Sequence, residues 1–169
     1  VVSDLARAFP ALIRKLKGVW KRPLQHQLCN VHAMRRLFEY KKDVWKIHRT
    51  AKQRKMLAEK ALEKNPNDPL AREEYWSASQ MVKFHWRMVC FCLSLISQVI
   101  AALRKTNKQE AQSQLDKVLQ ELTTLPNEYQ TFGNKLAKFI NNYSEKLLLH
   151  LEYPDLDWTT NSCEATFSI

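Results

Sequence analysis

Two carboxylates near opposite ends of the sequence, Asp4 and Glu164, sit where an acid can do chemistry. Asp4 closes the short apolar run "VVSD" at Val1–Asp4. That run reads as the end of a buried strand, because valine favours pleated, half-buried positions. A carboxylate at the buried end of a strand is costly to desolvate unless something pairs with it. A hard divalent cation held by oxygen ligands is one solution. Glu164 stands three residues after Asn161 in "TTNSCE". That spacing is a capping box, which satisfies the free amides of a helix start, so Glu164 has a plain structural role as a cap. Asp4 has one too, as a helix-capping or exposed strand-end acid. Capping and catalysis are compatible. Two carboxylates from distant segments can share a divalent ion, the arrangement that activates an attacking oxygen and stabilises a leaving one in phosphoryl transfer.

A third group lies in "HQLCNVHAMRRL", where His26, Cys29 and His32 are spaced by threes. Cys29 and His32 can chelate a soft metal. No second Cys/His pair follows at finger spacing, and His48, His85 and His150 are scattered. A packed cysteine and a hydrogen-bonding histidine beside a functional cleft is therefore the expectation, without bound zinc. The next stretch, "EYKKDVWKIHRTAKQRKMLAEK", brings Lys41, Lys42, Lys46, Arg49, Lys52, Arg54 and Lys55 close together, with Tyr40 and Trp45 interleaved. Phosphate contacts by such residues give affinity without sequence specificity. The aromatics can stack on unpaired bases or pack inside a helical hairpin. Packing is the expectation for Trp45, and likewise for Trp76, Trp86 and Trp158.

The elements that must position these residues are mostly helices. Glycine occurs only twice in 169 residues, which argues against hairpin-rich β folds and Gly-rich phosphate loops. The strand at Val1–Asp4, a short helix over "PALIRKLKG" and a second strand over Pro23–Asn30 make a βαβ-like unit over residues 1–32. A basic helix runs from His32 to about Lys64, and "NPNDP" (Asn65–Pro69) stops it. A second long helix, Leu70–Lys105, repeats Met81, Phe84, Met88, Phe91, Leu95, Val99 and Leu103 at helical spacing. The two should form an antiparallel hairpin. A third helix carries Leu115, Val118, Leu119, Leu122 and Leu125, and a fourth carries Leu136, Phe139, Ile140, Tyr143 and Leu147. The expectation is an all-α block over residues 33–152, and a return at residues 153–169 that opens the helix bearing Glu164.

Charge is polarised along the chain. Residues 1–60 carry 16 Lys and Arg against 4 Asp and Glu, whereas residues 61–169 carry 11 against 13. A basic half points to a polyanionic partner, nucleic acid first and an anionic membrane second. The cysteines Cys29, Cys90, Cys92 and Cys163 have no framework spacing, which fits reduced thiols in a cytosolic or nuclear compartment. The N-terminus lacks the apolar region of a signal peptide. The longest apolar stretch, Met88–Leu103, is short and interrupted by Ser94, Ser97 and Gln98. It reads as a buried soluble helix and gives no expectation of a membrane partner.

Taken in order, "SDLARAFPALIRKL", "HQLCNVHAMRRLFE" and "WTTNSCEATFS" resemble the catalytic region of DDE-type transposases, closest to the Mutator-like and bacterial insertion-sequence groups. The motifs span about 40 residues at the two ends, and their ordered combination carries the likeness. The resemblance implies a mainly α chain with a partial α/β RNase H-like core and a large all-α helical insertion. It makes Asp4 the second catalytic Asp and Glu164 the third carboxylate, both binding Mg2+ or Mn2+. Cys29 and His32 become the Cys-x-x-His motif, with His32 near the scissile phosphate or orienting a neighbour, and Arg35 and Arg36 follow in the basic helix. The implied reaction is DNA strand cleavage and transfer, with transposon ends and target DNA as partners and a homo-oligomer in full-length form. The implied compartment is the nucleoid of a prokaryote or the nucleus of a eukaryote. The family also needs a first Asp on an earlier strand, which this sequence lacks, so the expectation is a fragment that is inactive alone. The rival expectations are a noncatalytic helical nucleic-acid-binding module, a decayed transposase copy, or an all-helical protein-interaction domain with a solvated basic face.

Overall fold

The computed structural model describes residues 2–3 and 27–153. Asp4, the expected first helix and the Glu164 segment lie outside the described residues. Two short strands, β1 (Val2–Ser3) and β2 (Gln27–Leu28), pair in parallel, Val2 with Gln27 and Ser3 with Leu28. Four helices follow: α1 (Asn30–Lys64), α2 (Pro69–Leu103), α3 (Lys108–Leu122) and α4 (Gln130–Leu147). Short 3-10 turns at Asn127–Tyr129 and Leu149–Leu151 flank α4. The chain is mainly α.

Each helix boundary has a local cause. Cys29 stands at the N-cap of α1, directly after β2. Asp68 caps α2, its carboxylate accepting from the Leu70 amide at 3.0 Å, and Pro69 supplies a preset first helical position. Arg72 Nε donates to the Pro66 carbonyl at 2.9 Å and so fastens the turn between α1 and α2. Asn107 caps α3 by accepting from the amides of Gln109 and Glu110. In α4 the glycine at Gly133 permits a close approach, since a Cβ there would stand 3.0 Å from the Leu125 side chain.

The two long helices form the expected antiparallel hairpin. Buried positions recur every seven residues: Leu37, Val44, Ala51 and Ala58 on α1, and Ala71, Ala78, His85, Cys92 and Val99 on α2. At 1.5 Å per residue each helix is about 52 Å long, roughly twice the length of α3 or α4. The shorter helices therefore cover only one end of the hairpin. There the core is dense, with Leu37, Leu95, Leu103, Leu115, Phe132, Leu136, Phe139 and Ile140 buried. Lys135 of α4 donates to Asp43 of α1 at 2.7 Å, and Tyr40 meets Phe139 edge to face. Leu28 of β2 joins this core, and Cys92 is buried in it, its thiol pushed up to about 12 by burial.

Toward its turn the hairpin continues as an arm in which Ala51, Ala58, Ala71 and Ala78 are the buried hydrophobic residues. This corrects the expected core stripe of α2. Leu95, Val99 and Leu103 are buried, but Met81 and Phe84 are exposed, because the buried stripe in this part of α2 runs through Ala78 and His85 instead. It also corrects the expectation for two tryptophans: Trp76 is 64% and Trp86 49% exposed. Trp45 is partly buried and packs against the core as expected. By length and composition α2 is long and apolar enough to cross a membrane. In this fold its apolar half, including Val89, Cys92, Leu95, Ile96 and Val99, is the central helix of the bundle.

Candidate nucleic-acid interface

The nine basic residues expected to hold phosphate all lie on α1, and the helical period divides them among its faces. Lys41, Lys52 and Lys55 fall with Trp45 and His48 in one stripe, at i, i+4, i+7, i+11 and i+14. Lys46 and Arg54 turn the other way and line an open cleft of about 550 Å³ between the hairpin and the start of α4. Arg35, Lys42 and Arg49, spaced by sevens, occupy the outer ridge and are exposed. Arg36 reaches over the Tyr143 ring of α4 at 5.9 Å. None of the nine is in an ion pair among the described residues. Their charge is therefore available to a polyanion on more than one face of the helix.

The cleft has an apolar floor of Ile47, Ala51, Ala78, Met81 and Phe132, with Thr50, Thr131, Glu128 and Asp43 at its polar edges. His85 also lines it, and its Nδ1 lies 2.8 Å from the Tyr129 hydroxyl. Burial, with Cys92 and Glu128 nearby, raises the Tyr129 pKa, so this hydroxyl stays protonated through neutral pH.

On the opposite side of the hairpin the rings of Trp45, His48 and Trp86 touch one another, with centroids 5.5–5.9 Å apart. His48 lies beneath the two indoles, 2% exposed, and neither of its ring nitrogens has a hydrogen-bond partner. Burial first, then Lys52 and His85, lowers its pKa and keeps the imidazole neutral. Lys41 stands 4.8 Å over the Phe38 ring, and Lys55 stands 5.6 Å over the Tyr75 ring of α2. The sequence reading found the cations and Trp45 but missed His48 and Trp86 as their neighbours. The signal was the i, i+3 step from Trp45 to His48 within a basic helix.

Cys29 and His32 sit where the sequence placed them, at the N-cap and first turn of α1 beside the β1–β2 pair. Cys29 is buried and His32 half-buried. Among the described residues no three His, Cys, Asp or Glu side chains converge as metal ligands. The two expected metal ligands, Asp4 and Glu164, lie outside the described residues. No protein-family model, curated protein or solved structure matches this chain.

Proposed function

We propose that this chain belongs to a DDE-type DNA strand-transfer enzyme, in which a helical insertion projects a two-helix arm that holds DNA beside an RNase H-like core. The observation that supports this best is the charge on α1. Arg35, Arg36, Lys41, Lys42, Lys46, Arg49, Lys52, Arg54 and Lys55 project around one helix with no ion pair among the described residues. Cations arrayed in this way bind a phosphate backbone by counterion release and read no sequence.

The parallel pairing of Val2–Ser3 with Gln27–Leu28 supports the same reading, since β2 leads straight into α1. The strand of Val2–Ser3 is thereby tied to the root of the basic helix. DNA gripped along α1 would be led toward that strand end. The metal enters through the resemblance: Asp4 and Glu164, with a further Asp, would hold Mg2+ or Mn2+, which would activate the attacking oxygen of the strand. His32, in the first turn of α1, would face the scissile phosphate. Self-association across two element ends is the corresponding proposal for the partners.

Two measurements test the reading. Lys52→Gln, Arg54→Gln and Lys55→Gln together should weaken duplex DNA binding equally across sequences and reduce the slope of log K against log salt by about one for each of them that contacts a phosphate. An unchanged slope would assign these charges to a solvated face. In a protein that includes the core strands, Glu164→Gln should abolish strand transfer while DNA affinity stays within about twofold. Retained strand transfer would leave Glu164 a helix cap and favour a noncatalytic binding module.

A further inference from the structure

The side of the hairpin opposite the cleft carries groups that phosphate contacts leave unused. Lys41, Trp45, His48, Lys52 and Lys55 form one stripe of α1. Across from it Tyr75, Ser79, Val82 and Trp86 form a stripe of α2 at i, i+4, i+7 and i+11. The contacts of Lys55 with Tyr75 and of His48 and Trp45 with Trp86 place the two stripes side by side.

Three features of this face point to a ligand. Trp86 keeps half of its surface in solvent. His48 beneath it is buried with both ring nitrogens unpartnered, and the Ser79 hydroxyl along the same face is also buried without a partner. A purely structural seam would place apolar residues at these positions, because an unpaired polar group costs free energy there. The third feature is charge. An aromatic notch in neutral surroundings suits a quaternary ammonium, but Lys52 lies beside His48, and Lys41 and Lys55 lie in the same stripe. A cationic guest is repelled. A flat aromatic guest joined to anions is favoured.

We infer that the Trp45–His48–Trp86 notch takes an unpaired nucleobase of a single strand. The base stacks on the Trp86 indole. An outward turn of the half-exposed Trp86 ring would let the hydrogen-bonding edge of the base reach the His48 ring nitrogens. The phosphates on either side run along Lys41 and Lys52. A base within a duplex has its faces covered by neighbours and cannot enter. The inference rests on the nucleic-acid reading above and adds a preference that phosphate binding alone does not give, since duplex DNA has the higher charge density.

The experiment uses the full 169-residue chain and fluorescence anisotropy at 50 and 200 mM salt. The probes are a 12-nucleotide dT strand, the same strand with central abasic sites, and a 12-base-pair duplex. The wild type should bind the dT strand more tightly than the duplex, and abasic sites should remove that advantage. Trp86→Ala should weaken dT binding about 5- to 150-fold, as loss of one stacked base does. Its duplex affinity should change less than twofold and its salt slope should not change. His48→Phe keeps an aromatic ring in the notch and should raise the melting temperature while weakening dT binding about tenfold. Equal loss on both nucleic acids, or no loss with Trp86→Ala, would overturn the inference. Unchanged dT affinity in His48→Phe would overturn the base-edge contact. Duplex binding with a normal salt slope but no single-strand advantage would overturn this inference alone, whereas no binding to either would overturn the nucleic-acid reading as well.

Discussion

Tyr129→Phe removes one oxygen from the interior and tests how the bundle is locked to the hairpin. The Tyr129 ring is fully buried just before α4, and its hydroxyl lies 2.8 Å from Nδ1 of His85 in the middle of α2. Phenylalanine keeps the ring and its contact with the imidazole, whose centroids are 5.9 Å apart. It leaves the Nδ1 of a buried His85 without its partner. A buried polar group stranded in this way costs about 1–3 kcal/mol. For a chain of this size each kcal/mol moves the melting temperature by about 2–4 °C, so the variant should melt about 2–12 °C lower. A double-mutant cycle sharpens the result. In a His85→Leu background there is no nitrogen left to strand, and Tyr129→Phe should be neutral or stabilising. The coupling read from urea denaturation should then be about 1 kcal/mol or more. The raised Tyr129 pKa adds a signature. The unfolded hydroxyl ionises near its ordinary value of 10 and the folded one ionises higher, so the stability it contributes is complete below pH 10 and is lost as pH rises above it. Tyr129→Phe should lose that dependence. Equal melting temperatures for the wild type and Tyr129→Phe, together with zero coupling to His85, would refute the lock.

Two other outcomes follow from the same packing. The neutral form of His48 is favoured in the fold and its pKa lies below the ordinary 6.5, so the unfolded chain binds the proton first. Stability should therefore fall as pH drops below about 6.5, and His48→Phe should flatten that fall in urea titrations compared at pH 7.5 and 5.5. Ala78→Leu inserts a branched side chain into the alanine-packed arm, where Ala78 is buried. It should cost about 1–3 kcal/mol by overpacking, and hydrogen exchange should report faster opening of the arm than of the bundle.

Much of the helical layout was legible because its signals are local. The break at Asn65–Pro69 contains its own cap and preset proline, so the hairpin turn could be read directly. Leu115, Val118, Leu136, Phe139 and Ile140 recur at the helical period and are buried as read. What the sequence did not convey was which positions of α2 the packing would bury. Met81 and Phe84 have the same apolar character as Leu95 and Leu103, but at their level the buried stripe follows Ala78 and His85, which leaves the first pair exposed. The same limit hid the site. Trp45 and Trp86 are 41 positions apart, and their contact depends on the level at which two helices meet after the turn. The split of Lys46 and Arg54 from Lys41, Lys52 and Lys55 was implicit in the helical period, but which face would be lined by α4 was not.

The alanine seam explains how one hairpin can offer two different faces. Alanine at Ala51, Ala58, Ala71 and Ala78 lets packed helices approach closely, since the side chains at the contact set the distance between their axes. Such a pair buries little apolar surface, so the arm draws its stability from the bundle at its root. In exchange, close approach leaves the flanking positions on both sides shallow and accessible. On one flank α4 closes over part of the groove and makes the cleft with Lys46 and Arg54. On the other flank large aromatics, Trp45, Trp86 and Tyr75, rise beside Lys52 and Lys55. Leucine along the seam would force the helices apart and move Trp45 away from Trp86. The small residues of the arm therefore matter to the notch as much as its aromatic rings do. Ala78→Leu should accordingly weaken single-strand binding, although its side chain lies outside the notch, and leave the phosphate-driven salt slope unchanged. A variant that loses stability but keeps full single-strand affinity would separate the seam from the notch and show that the aromatic contacts tolerate a wider hairpin.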